Sequence, residues 1–160
     1  ENKQIIPHPE PLELADEVAE LLEFYGVLAE EKEIRLSVVG HGTVSGDRLM
    51  LRRAISNLLS NALRYTPVGG TVTVRIETQN DEEIQLTVEN TGSCIAAEHL
   101  PRLFDRFYRT DSARQRTTEG SGLGLAITRS ILIAHGGDVS VRSAEGITRF
   151  TLSLPVGGQL

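Results

Sequence analysis

The chain has 160 residues, 39% of them hydrophobic, and a formal net charge of −6, which suits one soluble globular domain with its own core. A single cysteine excludes an internal disulfide framework and favours a reducing compartment, while the acidic balance argues against nucleic acid as a partner. No apolar run reaches the roughly 20 residues that span a bilayer, and no signal peptide opens the chain. Because the sequence begins at Glu1 without a methionine, we expect a fragment of a longer protein.

The first part of the chain predicts two helices separated by short strands. Residues 1–11 hold three of the six prolines and are interpreted as an extended lead-in or linker. Apolar residues at helical spacing predict an amphipathic helix over residues 12–32. Residues 34–46 indicate an alternating strand, then a turn and a short strand. Asp47 is a suitable N-cap for a second helix that ends near Tyr65.

The second part of the chain predicts four strands and one further long helix. The strands occupy residues 71–78, 84–89, 139–143 and 148–154. The sequence Asn-Thr-Gly at 90–92 is expected to break the second of these strands, and residues 98–104 to form a short helical turn. After a long polar loop, a helix runs from about Leu123 to Ala134 and ends at His135-Gly136-Gly137. This order predicts one mixed sheet with helices packed on one face, a two-layer α/β sandwich of the α+β class.

Two asparagines stand four residues apart on the second predicted helix, so Asn57 and Asn61 share a face, with Arg64 seven residues after Asn57. Asparagine is a mediocre helix former, so the pair needs a reason. One interpretation is a solvated polar stripe. The other is a neutral oxygen ligand for Mg²⁺ beside a nucleotide, with Arg64 and Tyr65 near the phosphates.

Residues 106–125, RFYRTDSARQRTTEGSGLGL, form a polar loop that ends in three glycines, and the predicted helix follows these glycines. Glycine lets backbone N–H groups approach closely, and a helix N-terminus carries partial positive charge, so this segment suits phosphate. A flexible hinge is the alternative. The segment is neither a dinucleotide fingerprint nor a P-loop, because no strand precedes the glycines and no GxxxxGK[ST] occurs. The VAIK, HRD and DFG signatures of protein kinases are also absent.

Four motifs occur in order: NLLSNALRYT (57–66), VENTG (88–92), LFDRFYR (103–109) and GSGLGLAI (120–127). They closely resemble the N, G1, F and G2 boxes of sensor histidine kinases, and the likeness covers essentially the whole chain. The resemblance implies the Bergerat ATP-binding fold, which DNA gyrase B, the chaperone Hsp90 and the mismatch-repair protein MutL also use. In that fold a mixed, mostly antiparallel sheet carries about three main helices on one face and an ATP lid.

The resemblance also implies the organisation of the parent protein. Residues 1–11 would link to a missing dimerisation and phosphoacceptor domain, residues 12–156 would form the catalytic ATP-binding domain, and 157–160 a tail. Overall likeness is greatest to the heavy-metal (copper or silver) responsive branch of membrane sensor kinases. The parent would be a homodimer in the inner membrane, with this domain in the cytoplasm and monomeric when isolated.

Ligand roles follow from the resemblance residue by residue. Asn61 would be the Mg²⁺ ligand, with Asn57 beside it near the phosphates. Arg64 and Tyr65 would flank the phosphates and the ribose. Gly92 would let the backbone approach the adenine.

The resemblance makes residues 105–122 the ATP lid, with Phe104 and Phe107 as its apolar anchors. Arg109 would reach the γ-phosphate, and Thr148 would support the adenine pocket from the last strand. In the glycine box, N–H groups would be presented to the phosphates, above all those of Gly122 and Gly124. The nucleotide contacts expected along the lid and the glycine box are Arg106, Arg109, Gly120, Ser121, Gly122, Leu123, Gly124 and Leu125.

Two positions depart from the family pattern. The G1 box usually has Asp where this chain has Asn90, and a second Gly where it has Cys94. The Asp normally accepts a hydrogen bond from the adenine amino group. The amide oxygen of Asn90 accepts the same bond as a neutral group, so the bond should be weaker. Cys94 is interpreted as a small buried apolar residue.

The resemblance implies phosphoryl transfer rather than hydrolysis. Gyrase-like and Hsp90-like relatives carry Glu at the position of Asn57, where it is the general base for water, and an amide cannot take that proton. The chain should bind MgATP and keep the γ-phosphoryl for a histidine on a separate helical domain, for relay to a response regulator. Catalysis would rest on positioning and charge neutralisation, with Asn57 and Arg109 as catalytic residues.

Two alternatives stay open. The first is a nucleotide-binding regulatory module without kinase activity, in which Asn90 and Cys94 are signs of decay. The second is a hydrolysing ATPase of the gyrase and Hsp90 type, which Asn57 disfavours.

Overall fold

A computed structural model describes residues 6–92, 103–105 and 124–156. Within these residues the chain forms three helices and seven strands. In chain order they are β1 (Pro9–Glu13), α1 (Leu14–Glu31), β2 (Arg35–Gly40), β3 (Thr43–Asp47), α2 (Arg48–Tyr65), β4 (Thr71–Gln79), β5 (Glu83–Thr91), α3 (Gly124–Ala134), β6 (Asp138–Ala144) and β7 (Ile147–Pro155). The predicted α+β class with three main helices is confirmed.

Five strands form the main sheet in the order β2-β4-β5-β7-β6. The β2–β4 pair is parallel and the other pairs are antiparallel, so the sheet is mixed and mostly antiparallel, as predicted. Side chains alternate between its two faces. One face contributes buried apolar side chains to the core and the other carries charged residues such as Arg75 and Glu89.

A separate two-stranded sheet, formed by β1 and β3, corrects the prediction of a single sheet. Pro9 lies opposite Asp47, and Glu13 lies opposite Thr43. The sequence hid this strand because β1 has only five residues, two of them prolines that donate no ladder hydrogen bond. Residues 9–11, which the sequence placed in a linker, take part in this pairing. The boundary between linker and domain stays a prediction.

Strand β5 also differs from expectation, since it runs through Asn90 and Thr91 rather than breaking there. Asn90 lies opposite Val72 of β4 on one side and opposite Thr148 of β7 on the other. A segment paired on both sides stays extended despite a weak intrinsic preference for strand. The physical consequence is that the G1 motif begins inside the sheet.

Helix α2 lies between α1 and α3 in the helical layer and contacts both. The predicted N-cap is confirmed, since the Asp47 side chain accepts a hydrogen bond from Met50 N at 3.0 Å. Helix α3 ends as predicted, with Gly136 at a φ of 83° and Gly137 N donating to Leu132 O at 2.8 Å. Of the helices in the described residues, none is both long and apolar enough to cross a membrane.

Candidate functional site

The paired asparagines of α2 face the start of α3. Asn57 Nδ2 donates to the carbonyl oxygen of Gly124 at 3.1 Å and to Thr128 Oγ1 at 3.3 Å. Asn57 and Gly124 are 67 positions apart in the sequence, so the contact joins the N motif to the end of the glycine-rich motif. The apolar stripe of α2, which is buried against the core, sets the direction of this polar face.

Asn61 lies one turn after Asn57 and is half-buried. Its side chain makes no hydrogen bond to any residue that the structure describes, so its amide oxygen is available to a ligand. Among those residues no three His, Cys, Asp or Glu side chains converge on a metal site. One amide oxygen nevertheless fits Mg²⁺, which usually takes one or two protein ligands and completes its shell with water and substrate phosphates.

The end of α2 carries Arg64 and Tyr65 beside the end of β5. The Arg64 guanidinium carbon lies 5.9 Å from the centre of the Tyr65 ring, a cation–π distance, and a cation in the last turn complements the helix dipole. Gly92 follows β5 with a φ of 133°. A Cβ there would lie 2.6 Å from Pro67 Cδ and 3.3 Å from Tyr65 O, so only glycine fits.

A buried polar side chain follows the run of buried apolar residues on each of the strands β5 and β7. Along β5 the buried residues are Ile84, Leu86, Val88 and then Asn90, and along β7 they are Leu154, Leu152, Phe150 and then Thr148. Asn90 and Thr148 lie opposite each other, 4% and 3% exposed. Thr148 Oγ1 is 2.7 Å from Ser143 Oγ, and Asn90 Nδ2 donates to Thr91 O at 3.4 Å. This corner offers hydrogen bonds inside an apolar wall, which suits a polar heterocycle.

Several predicted residues lie outside the described residues. These are Cys94, Arg106, Phe107, Arg109, Gly120, Ser121, Gly122 and Leu123, together with most of the predicted lid at 105–122. Next to the lid, Phe104 is half-buried and its ring centre lies 6.2 Å from that of Phe150, in edge-to-face geometry. Leu125 is half-buried and packs against the core. The roles predicted for all these residues stay predictions.

The profile of the family named Histidine kinase-, DNA gyrase B-, and HSP90-like ATPase matches residues 46–158, well over half of the chain. The chain belongs to this family. The match begins just before the Asp47 cap of α2 and includes all four motifs. The predicted resemblance to sensor histidine kinases and the predicted Bergerat-type architecture are therefore confirmed.

Relatives within the family are similar over most of the chain. The sensor histidine kinase CusS of Escherichia coli O6:H1 is 57% identical over 156 residues, which cover 97% of this chain and 32% of CusS. The probable sensor kinase SilS of Salmonella typhimurium is 59% identical over 112 residues, 70% of this chain and 22% of SilS. The chain thus spans about a third of CusS and less of SilS. The predicted likeness to the copper and silver branch is confirmed.

A solved structure gives a matching fold. The crystal structure of full-length ShkA in complex with AMPPNP superposes with a TM-score of 0.81 at 26% identity, over 94% of this chain and 32% of ShkA. The chain therefore corresponds to one part of a longer protein in this comparison too.

Two buried residues of this family member were not assigned to the site from the sequence. Thr128 is fully buried between α3 and α2 and meets Asn57. A polar residue on the apolar stripe of α3, one turn after Gly124, was the available signal. His135 was expected only to end its helix. Its Nδ1 bonds Ile131 O at 2.8 Å, and its Nε2 accepts from Asp47 N at 3.1 Å, so it also joins α3 to the cap of α2.

Proposed function

We propose that the chain is the catalytic ATP-binding domain of a sensor histidine kinase. It binds MgATP and donates the γ-phosphoryl group to a histidine on a separate helical domain, for relay to a response regulator. The observation that carries this proposal is the Asn57–Gly124 contact, which brings the paired asparagines to the helix end where the glycine-rich segment enters. A helix N-terminus next to neutral oxygen donors suits a metal–phosphate group.

Different residues of the proposed site bind different parts of the nucleotide. Asn90 and Thr148 face the adenine, with the Asn90 amide oxygen accepting from the amino group, while Gly92 allows close approach. Asn61 holds Mg²⁺, with Asn57, Arg64 and Tyr65 around the phosphates and ribose. When bound, Mg²⁺ supplies positive charge that offsets the charge developing on the transferred phosphoryl. The AMPPNP bound to ShkA supports a nucleotide in this fold.

Position 57 favours transfer over hydrolysis. An amide cannot accept a proton from an attacking water, and both donor hydrogens of Asn57 Nδ2 are directed to α3. The chain therefore positions the γ-phosphoryl for a nucleophile that needs no base at this site. A hydrolysing ATPase is the alternative that this residue disfavours, and a regulatory module without transfer is the other.

The parent protein is proposed to be longer, since the chain corresponds to about a third of CusS. It would be a homodimeric membrane sensor with this domain in the cytoplasm, an acceptor histidine on a helical dimerisation domain, and a copper or silver signal. The names CusS and SilS support that proposal through likeness alone.

Calorimetric titration of the chain with ATP and ADP, with and without Mg²⁺, tests nucleotide binding. We expect binding that tightens with Mg²⁺, and no heat of steady turnover. The control is the variant Leu49→Ala, at a 78% exposed position of α2, which should bind both nucleotides as tightly as the wild-type chain does. Absence of binding to either nucleotide would contradict the proposal.

Mixing the chain with the separately purified helical domain of its parent and γ-labelled ATP tests transfer. We expect label on a histidine of that domain and none on this chain alone. Binding without transfer would favour the regulatory module, and rapid release of phosphate without transfer would favour the ATPase.

A further inference from the structure

We propose that Thr128 is a positioning residue that fixes the orientation of the Asn57 amide. In the fixed orientation, the amide nitrogen of Asn57 faces α3 and its oxygen is left for the metal–phosphate group. The inference concerns the geometry of α2 and α3. Its consequence for ligand binding rests on the nucleotide-binding function proposed above.

Thr128 is fully buried, and its hydroxyl joins two helices. Thr128 Oγ1 donates to the carbonyl oxygen of Ala54 on α2 at 3.5 Å and accepts from Asn57 Nδ2 at 3.3 Å. Threonine in a helix often bonds back to the carbonyl four residues earlier, which here is Gly124 O. That carbonyl instead accepts from Asn57 at 3.1 Å.

The donors and acceptors at this contact favour a single orientation of the Asn57 amide. A carbonyl oxygen only accepts, so in the 3.5 Å contact with Ala54 O the hydroxyl of Thr128 is the donor, and its lone pairs are left for Asn57. Gly124 O presents lone pairs as well. Among the residues that the structure describes, both hydrogen-bond partners of the Asn57 amide are therefore acceptors, which only its NH₂ group can satisfy. A flipped amide would set its oxygen against two other oxygens and leave them without donors.

The consequence lies at the other end of the amide. With both N–H groups used, Asn57 Oδ1 points away from these acceptors, and within the described residues it accepts no hydrogen bond. Mg²⁺ and its bound water need oxygen acceptors, and an NH₂ group would repel the cation. Thr128 thus sets which atom α2 presents next to Asn61.

A purely structural role would need only the Thr128–Ala54 bond, and the two interpretations make different predictions. Thr128→Val keeps the shape and removes the hydroxyl, while Thr128→Ser restores it. The first readout is the NMR signal of the Asn57 side-chain NH₂ in the ligand-free chain. Thr128→Val should shift both proton resonances and Thr128→Ser should return them toward wild type. Resonances that do not move in Thr128→Val would overturn the proposal.

The second readout is the ratio of ATP affinities with and without Mg²⁺. Loss of one hydrogen bond should lower that ratio about threefold to tenfold in Thr128→Val, with recovery in Thr128→Ser. In an Asn57→Ala background the same Val substitution should have no further effect, since no amide remains to orient. An equal loss in both backgrounds would indicate general destabilisation and overturn the proposal. A wild-type chain that binds no nucleotide would refute the proposed function, while the NMR signals still decide the positioning role.

Discussion

The side of α2 that faces α1 carries ion pairs, whereas the polar contacts described on the side that faces α3 join neutral groups. On the α1 side, Arg52 Nε lies 2.6 Å from Glu17 Oε1, Arg52 also pairs with Glu20, and Arg48 lies 3.5 Å from Glu17. On the α3 side, the contacts are those of Asn57 with Gly124 and of Thr128 with Ala54.

The difference separates a structural side of α2 from the side on which ligand binding is proposed. Every charge named on the α1 side has a partner within the protein, and hydrogen bonds to Glu17 and Glu20 raise the pKa of Arg52. On the α3 side, within the described residues, the NH₂ group of Asn57 donates to α3, and the side-chain amide oxygens of Asn57 and Asn61 accept no hydrogen bond. Neutral oxygens next to a helix N-terminus leave room for a cation and an anion to bind together, which a fixed ion pair would obstruct.

The largest expected effect concerns His135, which fastens the far end of α3 to α2. His135→Ala removes two buried hydrogen bonds, leaves Asp47 N unpaired and opens a cavity at a residue that is 1% exposed. We expect a loss of about 3 kcal/mol in the free energy of unfolding, measured by urea denaturation. Leu49→Ala is the control and should change it by less than about 0.5 kcal/mol. A loss below about 1 kcal/mol for His135→Ala would mean that the neutral side contributes little to stability.

The next effect concerns the charged side. Arg52→Ala leaves Glu17, whose side chain is 7% exposed, with only the longer contact to Arg48, and we expect a loss of about 2 kcal/mol in unfolding free energy. Arg48→Ala should cost less than about 1 kcal/mol, since Arg48 is 43% exposed. Nucleotide affinity should be unchanged in both variants. If Arg52→Ala weakened MgATP binding as much as it weakened stability, the separation of the two sides would be wrong.

A smaller effect, in the binding free energy of MgATP, is expected at Asn61, on the side of α2 where ligand binding is proposed. Asn61→Ala removes the proposed metal ligand, so the ATP affinity should lose its Mg²⁺ dependence, a weakening of about tenfold or 1.4 kcal/mol. Stability should change little, because the Asn61 side chain bonds to no described residue. Asn61→Asp supplies a charged oxygen and should increase the Mg²⁺ dependence. Calorimetry with and without Mg²⁺ measures both variants, and an unaltered dependence in Asn61→Ala would refute the ligand assignment.

The elements on both sides were largely predictable from the sequence because their signals are local. Helical spacing and the Asp47 cap predicted α2 within a residue, and the four-residue spacing of Asn57 and Asn61 predicted their shared face. Strand β1 was missed because two prolines mask its pattern, and the extension of β5 through Asn90 was missed because it depends on β7.

The contact of Asn57 with α3, on which the proposed site rests, could not be predicted from local sequence signals. Thr128 lies 71 positions from Asn57, and nothing in either segment specifies that the two meet. The sequence connected the asparagine pair and the glycine-rich segment with a nucleotide phosphate separately, and only the resemblance of whole motifs joined Asn57 and Gly124 in one site. The orientation of the Asn57 amide needs the positions of Ala54 O and Gly124 O, which depend on how α3 packs against α2.

The smallest expected effect is a dependence on pH at the start of α1. The Glu13 carboxylate caps α1 and accepts from Gly42 N at 2.7 Å and Ala15 N at 3.2 Å. Partial burial alone would raise the pKa of Glu13, but these two hydrogen bonds and the charge of His41 outweigh it and lower the pKa below 4.5. The folded state therefore binds this proton less readily than the unfolded chain. The stabilisation is present above pH 4.5 and is lost as the pH falls through the folded pKa.

Glu13→Gln should accordingly cost about 1 kcal/mol in unfolding free energy at pH 7, because a neutral amide oxygen accepts these bonds more weakly. Urea denaturation from pH 7 down to pH 3 should show the difference from wild type narrowing below pH 4.5, as the wild-type carboxyl also becomes neutral. Thr128→Val is the matched comparison, since its hydrogen-bond partners Asn57 and Ala54 do not titrate. Its cost should stay constant over the same range. If the cost of Glu13→Gln were equally constant, the cap would act by shape and not by charge. The start of α1 would then be held by neutral hydrogen bonds, like the contact between α2 and α3.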